Sequence, residues 1–222
     1  MTPKSKKKLA IFDTFKTKDQ DLTGEAKRQR AIITILGSNA NPAERTRTGI
    51  SQKIAKKQGI AWKNIYSGIF RDLDEILLPM KIAEEDGRLP LKRGPKALQE
   101  KGIPYYHLTK KGILVRLAIN GIEDMESQLK KFFDQSEPEE KEFDKILIKF
   151  MATSPTFTYS IFQKYVKSFC EDKIKQLLPF DLSKLQDISD ENLVILKEIV
   201  LTFGKLSSQE KKETIRFLEK IT

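Results

Sequence analysis

Apolar residues recur at helical spacing through most of the chain, and only one region alternates as a strand pair would. After Gly24, the positions Ala31, Ile32, Ile35 and Leu36 fall three and four apart, which predicts a helix stopped by Gly37-Ser38-Asn39. Asn41 to Arg47 reads as a loop or single turn carrying two exposed arginines, Arg45 and Arg47. Thr48 is the expected N-cap of a second helix that runs through Ile50, Ile54 and Ala55 to Lys57, with Gly59 as a turn. Residues 61–78 then read as a longer helix with Ile65, Ile69, Leu73 and Ile76 in one buried stripe and Pro79 at its end. Trp62 and Tyr66 at its entrance read as packing residues.

Lys81 to Glu85 and Tyr105 to Leu108 have the length and alternation of two strands of a hairpin. Between them, residues 86–104 read as a long loop with Arg88, Lys92, Arg93 and Lys96 set among Pro90, Gly94, Pro95 and Pro104. Thr109 is the expected cap of a helix through Gly112, Ile113, Leu114, Leu117 and Ala118. Beyond it, helices follow throughout. Gly121 to Phe133 continues from or pairs with that helix, and Ser136-Glu137-Pro138-Glu139 opens another with Phe143, Ile146, Leu147, Phe150 and Met151 on one face. A helix from Phe157 to Leu178 carries Ile161, Tyr165, Phe169 and Leu177 and ends at Pro179. Leu193, Leu196, Val200 and Phe203 mark the next, and a capping box at Ser207 and Glu210 starts the last, with Ile215, Leu218 and Ile221.

The fold class expected from this order is mainly α with a small β-hairpin. Hydrophobic residues at 39% and charged ones at 32% suit a folded chain, and no apolar run reaches the length of a membrane span. Charge divides the chain. Residues 1–120 hold 25 of the 41 basic and 12 of the 31 acidic side chains, net +13, which leaves the remaining residues at net −3. The expected domains are a basic, flexible tail over 1–22, a basic domain over 23–120 and an acidic helical domain over 121–222. Leu9 to Phe15 is an apolar patch within the tail that either docks as an arm or stays free. A basic half suits a polyanion, nucleic acid above all.

On the helix over 61–78, Lys63, Asn64, Ser67 and Arg71 fall on the arc opposite the apolar stripe. These are side-chain types that read base edges in a major groove. The order of short helix, glycine turn, longer helix and basic hairpin is that of a winged helix-turn-helix. The stretch Tyr106-His107-Leu108-Thr109-Lys110-Lys111-Gly112 resembles the Tyr-x-Leu-Thr-x-x-Gly ending of many bacterial and archaeal winged helix-turn-helix regulators, MarR-, PadR- and ArsR-like proteins among them. The resemblance spans about residues 24–120 and implies a regulator that binds double-stranded DNA. It implies that Lys63, Asn64, Ser67 and Arg71 read the major groove while Arg88, Lys92, Arg93 and Lys96 act from the wing, whose loop is longer than those families carry. Arg45, Arg47, Lys6, Lys7 and Lys8 would add weaker phosphate contacts.

One His and one Cys exclude a zinc finger or a disulfide framework. His107 reads as structural, and Cys170 as a small buried hydrophobe. No P-loop, dinucleotide fingerprint or nucleophile elbow is present. The carboxylates Glu137, Glu139, Glu140 and Glu142 suit a helix start and need no metal. The expectation is therefore no enzyme, no cofactor and no metal. The N-terminus lacks a secretory signal, so the expected location is cytoplasmic and nucleoid-associated. The apolar stripes of residues 121–222 read first as a bundle core and then as a homodimer interface. The alternatives are a sequence-independent architectural or chromatin protein, a protein-interaction module of the transcription or replication machinery, and, with fewer aromatic platforms than it needs, an RNA binder.

Overall fold

Threonines and glycines set the helix ends in the first half of the chain. The computed structural model describes residues 8–16, 19–38, 41–91, 96–119, 125–186 and 191–221, with backbone alone at 96–98, 191–193 and 220–221. Helix α1 spans Gly24–Gly37, where Thr23 caps it by accepting from the Ala26 N–H at 3.1 Å. Its buried side is Ala26, Gln29, Ile32, Ile33, Ile35 and Leu36. A 3₁₀ turn over Pro42–Arg45 leads into α2, Arg47–Gln58. The cap of α2 is Thr46, not Thr48, because the turn delivers Thr46 in an extended conformation with its Oγ1 3.0 Å from the Gly49 N–H. Helix α3 covers Lys63–Arg71 and runs on as a π-helical turn over Asp72–Leu77, so the helix expected over 61–78 has two geometries. Leu73, Ile76 and Leu77 of that turn are buried with Ile69.

The hairpin pairs β1, Ala83–Leu89, antiparallel to β2, Ile103–Leu108, with a bulge at Asp86 between the Glu85 and Gly87 pairs. The strands are thus longer than expected, and the loop placed at 86–104 is corrected at both ends, since Arg88 and Leu89 pair with Pro104 and Ile103. A short helix, α4, lies between the strands at Lys96–Lys101. Thr46 also makes an isolated antiparallel bridge to Tyr105, which ties the start of α2 to the hairpin.

Helix α5, Lys110–Leu117, is capped by Thr109, which accepts from the Gly112 N–H at 3.1 Å. Thr109 also donates to the Lys81 carbonyl at 2.7 Å, closing the helix start on the entry to β1. A Cβ at Gly112 would lie 2.0 Å from the Ile82 carbonyl oxygen, so only glycine fits there. Tyr106 and Leu108 are buried beside it.

Helices α6 (Met125–Asp134), α7 (Asp144–Thr153) and α8 (Pro155–Cys170) share one compact unit, Met1–Asp181, with everything before them. The charge change at residue 120 is therefore not where the compact units divide. Phe132, Phe133, Phe162, Tyr165 and Phe180 meet in an aromatic cluster with ring centroids 5.1–6.2 Å apart. Glu140 is buried and accepts from Lys110 Nζ, from the Phe180 N–H at 2.8 Å and from the Glu137 N–H at 3.0 Å. Burial works to raise its pKa, but these donors outweigh it and hold the carboxyl below its ordinary range. On α7, Leu147 and Met151 are buried, whereas Ile146 and, just before the helix, Phe143 of the expected face are exposed.

Two expectations fail here for the same reason, long-range burial. The helix expected to reach Leu178 ends at Cys170, where Lys173 and Ile174 N–H groups both turn back to the Ser168 carbonyl. The chain folds over, and Ile174, Leu177 and Phe180 are buried from an irregular segment. The tail expected to be flexible over 1–22 is docked from Leu9. Leu9, Ala10 and Ile11 are buried, the Ala10 N–H donates to Gln29 Oε1 at 2.8 Å, and Arg30 Nε donates to the Ile11 carbonyl at 2.6 Å. Cys170 is buried, and burial pushes its thiol up to about 12, so it is a protonated hydrophobe at neutral pH.

The second unit, Leu182–Thr222, holds a 3₁₀ turn over Leu182–Leu185 and helices α9 (Glu191–Lys205) and α10 (Ser208–Ile221). The capping box forms, with the Ser207 N–H donating to Glu210 Oε2 at 2.8 Å. No described helix is long and apolar enough to cross a membrane.

Candidate nucleic-acid interface

The candidate surface is built on the connection from α2 to α3. Gly59 closes α2 at φ +68°, a left-handed conformation that glycine adopts without strain. Its N–H and that of Ile60 satisfy the Lys56 and Ala55 carbonyls, a Schellman arrangement that stops the helix and turns the chain. Trp62 and Tyr66, both half-buried, meet edge to face at 5.7 Å and pack the entrance of α3.

Lys63, Asn64, Ser67 and Arg71 are all exposed, and their side chains pair with no described side chain. Opposite them, Ile69 is fully buried and Ile65 half-buried. The helix is anchored from behind by Asp72, whose carboxylate is fully buried and accepts from Arg28 Nε of α1 at 2.8 Å. A sequence expectation and a structural position coincide at these four residues. Two exposed groups escaped the sequence reading. Lys56 and Lys57 stand exposed in the last turn of α2, within a visible run of basic residues. Phe70 is 47% exposed, and its signal was also present, since at ~100° per residue it falls ~20° from Lys63 rather than on the apolar stripe.

The two arginines expected to be exposed before α2 are not free. Arg45 Nη1 donates to Asp86 Oδ2 at 2.8 Å and to the Tyr106 carbonyl at 3.2 Å, with its guanidinium over the Tyr105 ring. Arg47 is paired to Asp74 and lies over both Phe70 and Tyr106, at 5.1 and 5.2 Å. Burial disfavours the Arg47 charge, yet its Asp74 hydrogen bonds and the surrounding groups raise its pKa overall. The Tyr106 phenol is pushed up to about 12, chiefly by burial. Both arginines hold elements together, and their partners lie too far along the chain for local sequence to reveal them.

At the hairpin, Arg88 is exposed but already grips Glu85 with two hydrogen bonds of 2.6 and 2.9 Å. His107 Nε2 stands 3.1 Å from Glu84 Oε1, with Nδ1 3.5 Å from Asp86 Oδ1, a paired surface position. At the root of the hairpin, Arg45, Arg88 and His107 each stand against a carboxylate of Glu84, Glu85 or Asp86. Lys8 is exposed and 3.4 Å from Asp13. Lys6, Lys7, Lys92 and Arg93 lie outside the described residues, as does the side chain of Lys96. Among the described residues, no group of three or more His, Cys, Asp or Glu could hold a metal ion.

No protein-family model matches this chain, and no curated protein or solved structure matches it either.

Proposed function

We propose that this protein is a DNA-binding regulator whose α1 to α5 form a winged helix-turn-helix. In this reading α3 enters the major groove and the hairpin lies against the neighbouring backbone. The observation that carries it is the set of four base-reading side chains, Lys63, Asn64, Ser67 and Arg71, exposed on one arc of the helix that follows the Gly59 turn and paired with no described side chain. Arg and Lys suit guanine, Asn suits adenine, and Ser suits either. The exposed Lys56 and Lys57 supply phosphate contacts, which position without choosing sequence. Occupancy near a promoter then blocks or recruits the transcription machinery.

Pairing of two copies through α9 and α10 belongs to the same proposal. Nine large apolar side chains between Val194 and Leu218 are each 36–64% exposed, although the two helices already face one another across a groove lined by Ile195, Ile199, Phe203 and Leu218. An interface of standard size takes about 800 Å² from each partner, and nine such side chains supply an area of that order. Two copies would present two reading helices to the half-sites of an inverted repeat.

Selection of bound duplexes from a random pool at near-physiological salt, followed by sequencing, tests the reading. An enriched motif supports a sequence-reading regulator. Binding without enrichment points to an architectural protein with steep salt dependence. No retained duplex makes the basic surface a protein-docking one.

A further inference from the structure

An exposed phenyl ring alone carries no meaning, since single apolar side chains are common on protein surfaces. Two further observations give Phe70 content. Its position on α3, ~20° from Lys63 and ~60° from Ser67 at ~100° per residue, sets it beside the Lys63 edge of the polar arc and outside the buried stripe. Its ring is also held in place. Arg47 lies over it at 5.1 Å, and Arg47 is itself fixed by hydrogen bonds to both oxygens of Asp74 and by the Tyr106 ring on β2. The same clamp pairs the carboxylate of Asp74, four residues beyond Phe70, which would otherwise repel a polyanion.

Resting on the reading of α3 as the groove-facing helix, we propose that Phe70 reads the 5-methyl group of thymine. The edges that bases display in the major groove are donors and acceptors, with that methyl as the apolar feature that separates thymine from the rest. An apolar ring covered on one side by the Arg47 guanidinium, beside Lys63 at the edge of the polar arc, complements it. A ring free to swing would gain contact with any base and discriminate little. Phe70 is thus a specificity-determining residue, and Arg47 is a positioning residue that acts through it.

The test uses the full chain and a duplex recovered by selection, in which each thymine is replaced singly by uracil. This removes the methyl and leaves every hydrogen-bonding group in place. For the unaltered protein, replacement at one thymine per half-site should weaken binding by roughly fourfold, the worth of one buried methyl. Phe70→Ala should bind with no difference between thymine and uracil at that position while keeping its preferences elsewhere, and Phe70→Leu should keep part of the difference. Thermal unfolding of both variants checks that they fold. Uracil tolerated at every position by the unaltered protein overturns the proposal, and so does a methyl preference that survives in Phe70→Ala. Failure to bind any duplex overturns the DNA reading itself, a result distinct from either.

Discussion

Arg47 and Asp74 join the start of α2 to the turn that continues α3. Arg47 Nε donates to Asp74 Oδ2 at 3.0 Å and to Oδ1 at 3.2 Å, and Nη2 donates to Oδ1 at 2.6 Å. Because the guanidinium also lies over Phe70 and Tyr106, one side chain couples α2, α3 and β2. A charge-assisted, planar pair with both side chains about one-fifth exposed is worth more than a surface pair. Arg47→Ala should lower stability by about 1–3 kcal/mol in urea unfolding, and Arg47→Lys should not restore it, since an ammonium cannot fork or stack in the same way. Arg71→Ala, on the exposed arc, should stay within about 0.5 kcal/mol. Equal losses from Arg47→Ala and Arg71→Ala would contradict the structural role given to Arg47.

Gly112 tests the origin of the Tyr-x-Leu-Thr-x-x-Gly signature. Its alanine variant would force a methyl against the Ile82 carbonyl while Thr109 still caps the helix. Gly112→Ala should cost about 1–3 kcal/mol, the range of overpacking, and should lower the thermal midpoint. An unchanged midpoint would mean that the hairpin and α5 can separate without loss.

What the sequence made legible follows from where the deciding partner sits. Thr109 with Gly112, Gly59 and the Ser207–Glu210 box act within a few residues of themselves, so their elements could be read locally. The exposed arc of α3 was legible for the same reason, because helical periodicity is local. Arg45 and Arg47 were misjudged because their carboxylates, Asp86 and Asp74, lie 41 and 27 residues away. The end of α8 was missed because Leu177 keeps helical spacing while its burial comes from a chain reversal after Cys170. Thr46 and Thr48 are chemically alike, and only the preceding 3₁₀ turn chooses between them.

Glu140 gives a pH dependence whose sign is fixed by its partners. Its pKa is depressed in the folded chain, so the unfolded chain takes up the proton first as pH falls. The stabilisation is fully present above the ordinary glutamate value of 4.5 and is lost as pH falls through the folded value. Glu140→Gln should therefore be less stable than the unaltered protein at pH 7, by about 1–3 kcal/mol, with a gap that narrows by pH 3. Urea midpoints at the two pH values measure this, and a gap that widens in acid would reverse the assignment.

The exposed apolar faces of α9 and α10 make assembly measurable without DNA. Sedimentation should report a dimer, and Val200→Lys, which places a charge in the 60%-exposed stripe position, should yield a folded monomer. A monomer for the unaltered chain at all concentrations would remove the pairing from the proposal.

The most direct measurement of the central claim is a parallel selection from a random duplex pool with the unaltered protein and Arg71→Ala. The expected result is one enriched motif for the unaltered protein and, for the variant, the same motif with preference relaxed at one base of each half-site. The preferred duplex should then bind Arg71→Ala more weakly by about 1–3 kcal/mol. Identical motifs from both proteins, with equal affinity, would contradict the reading of sequence by the exposed arc of α3.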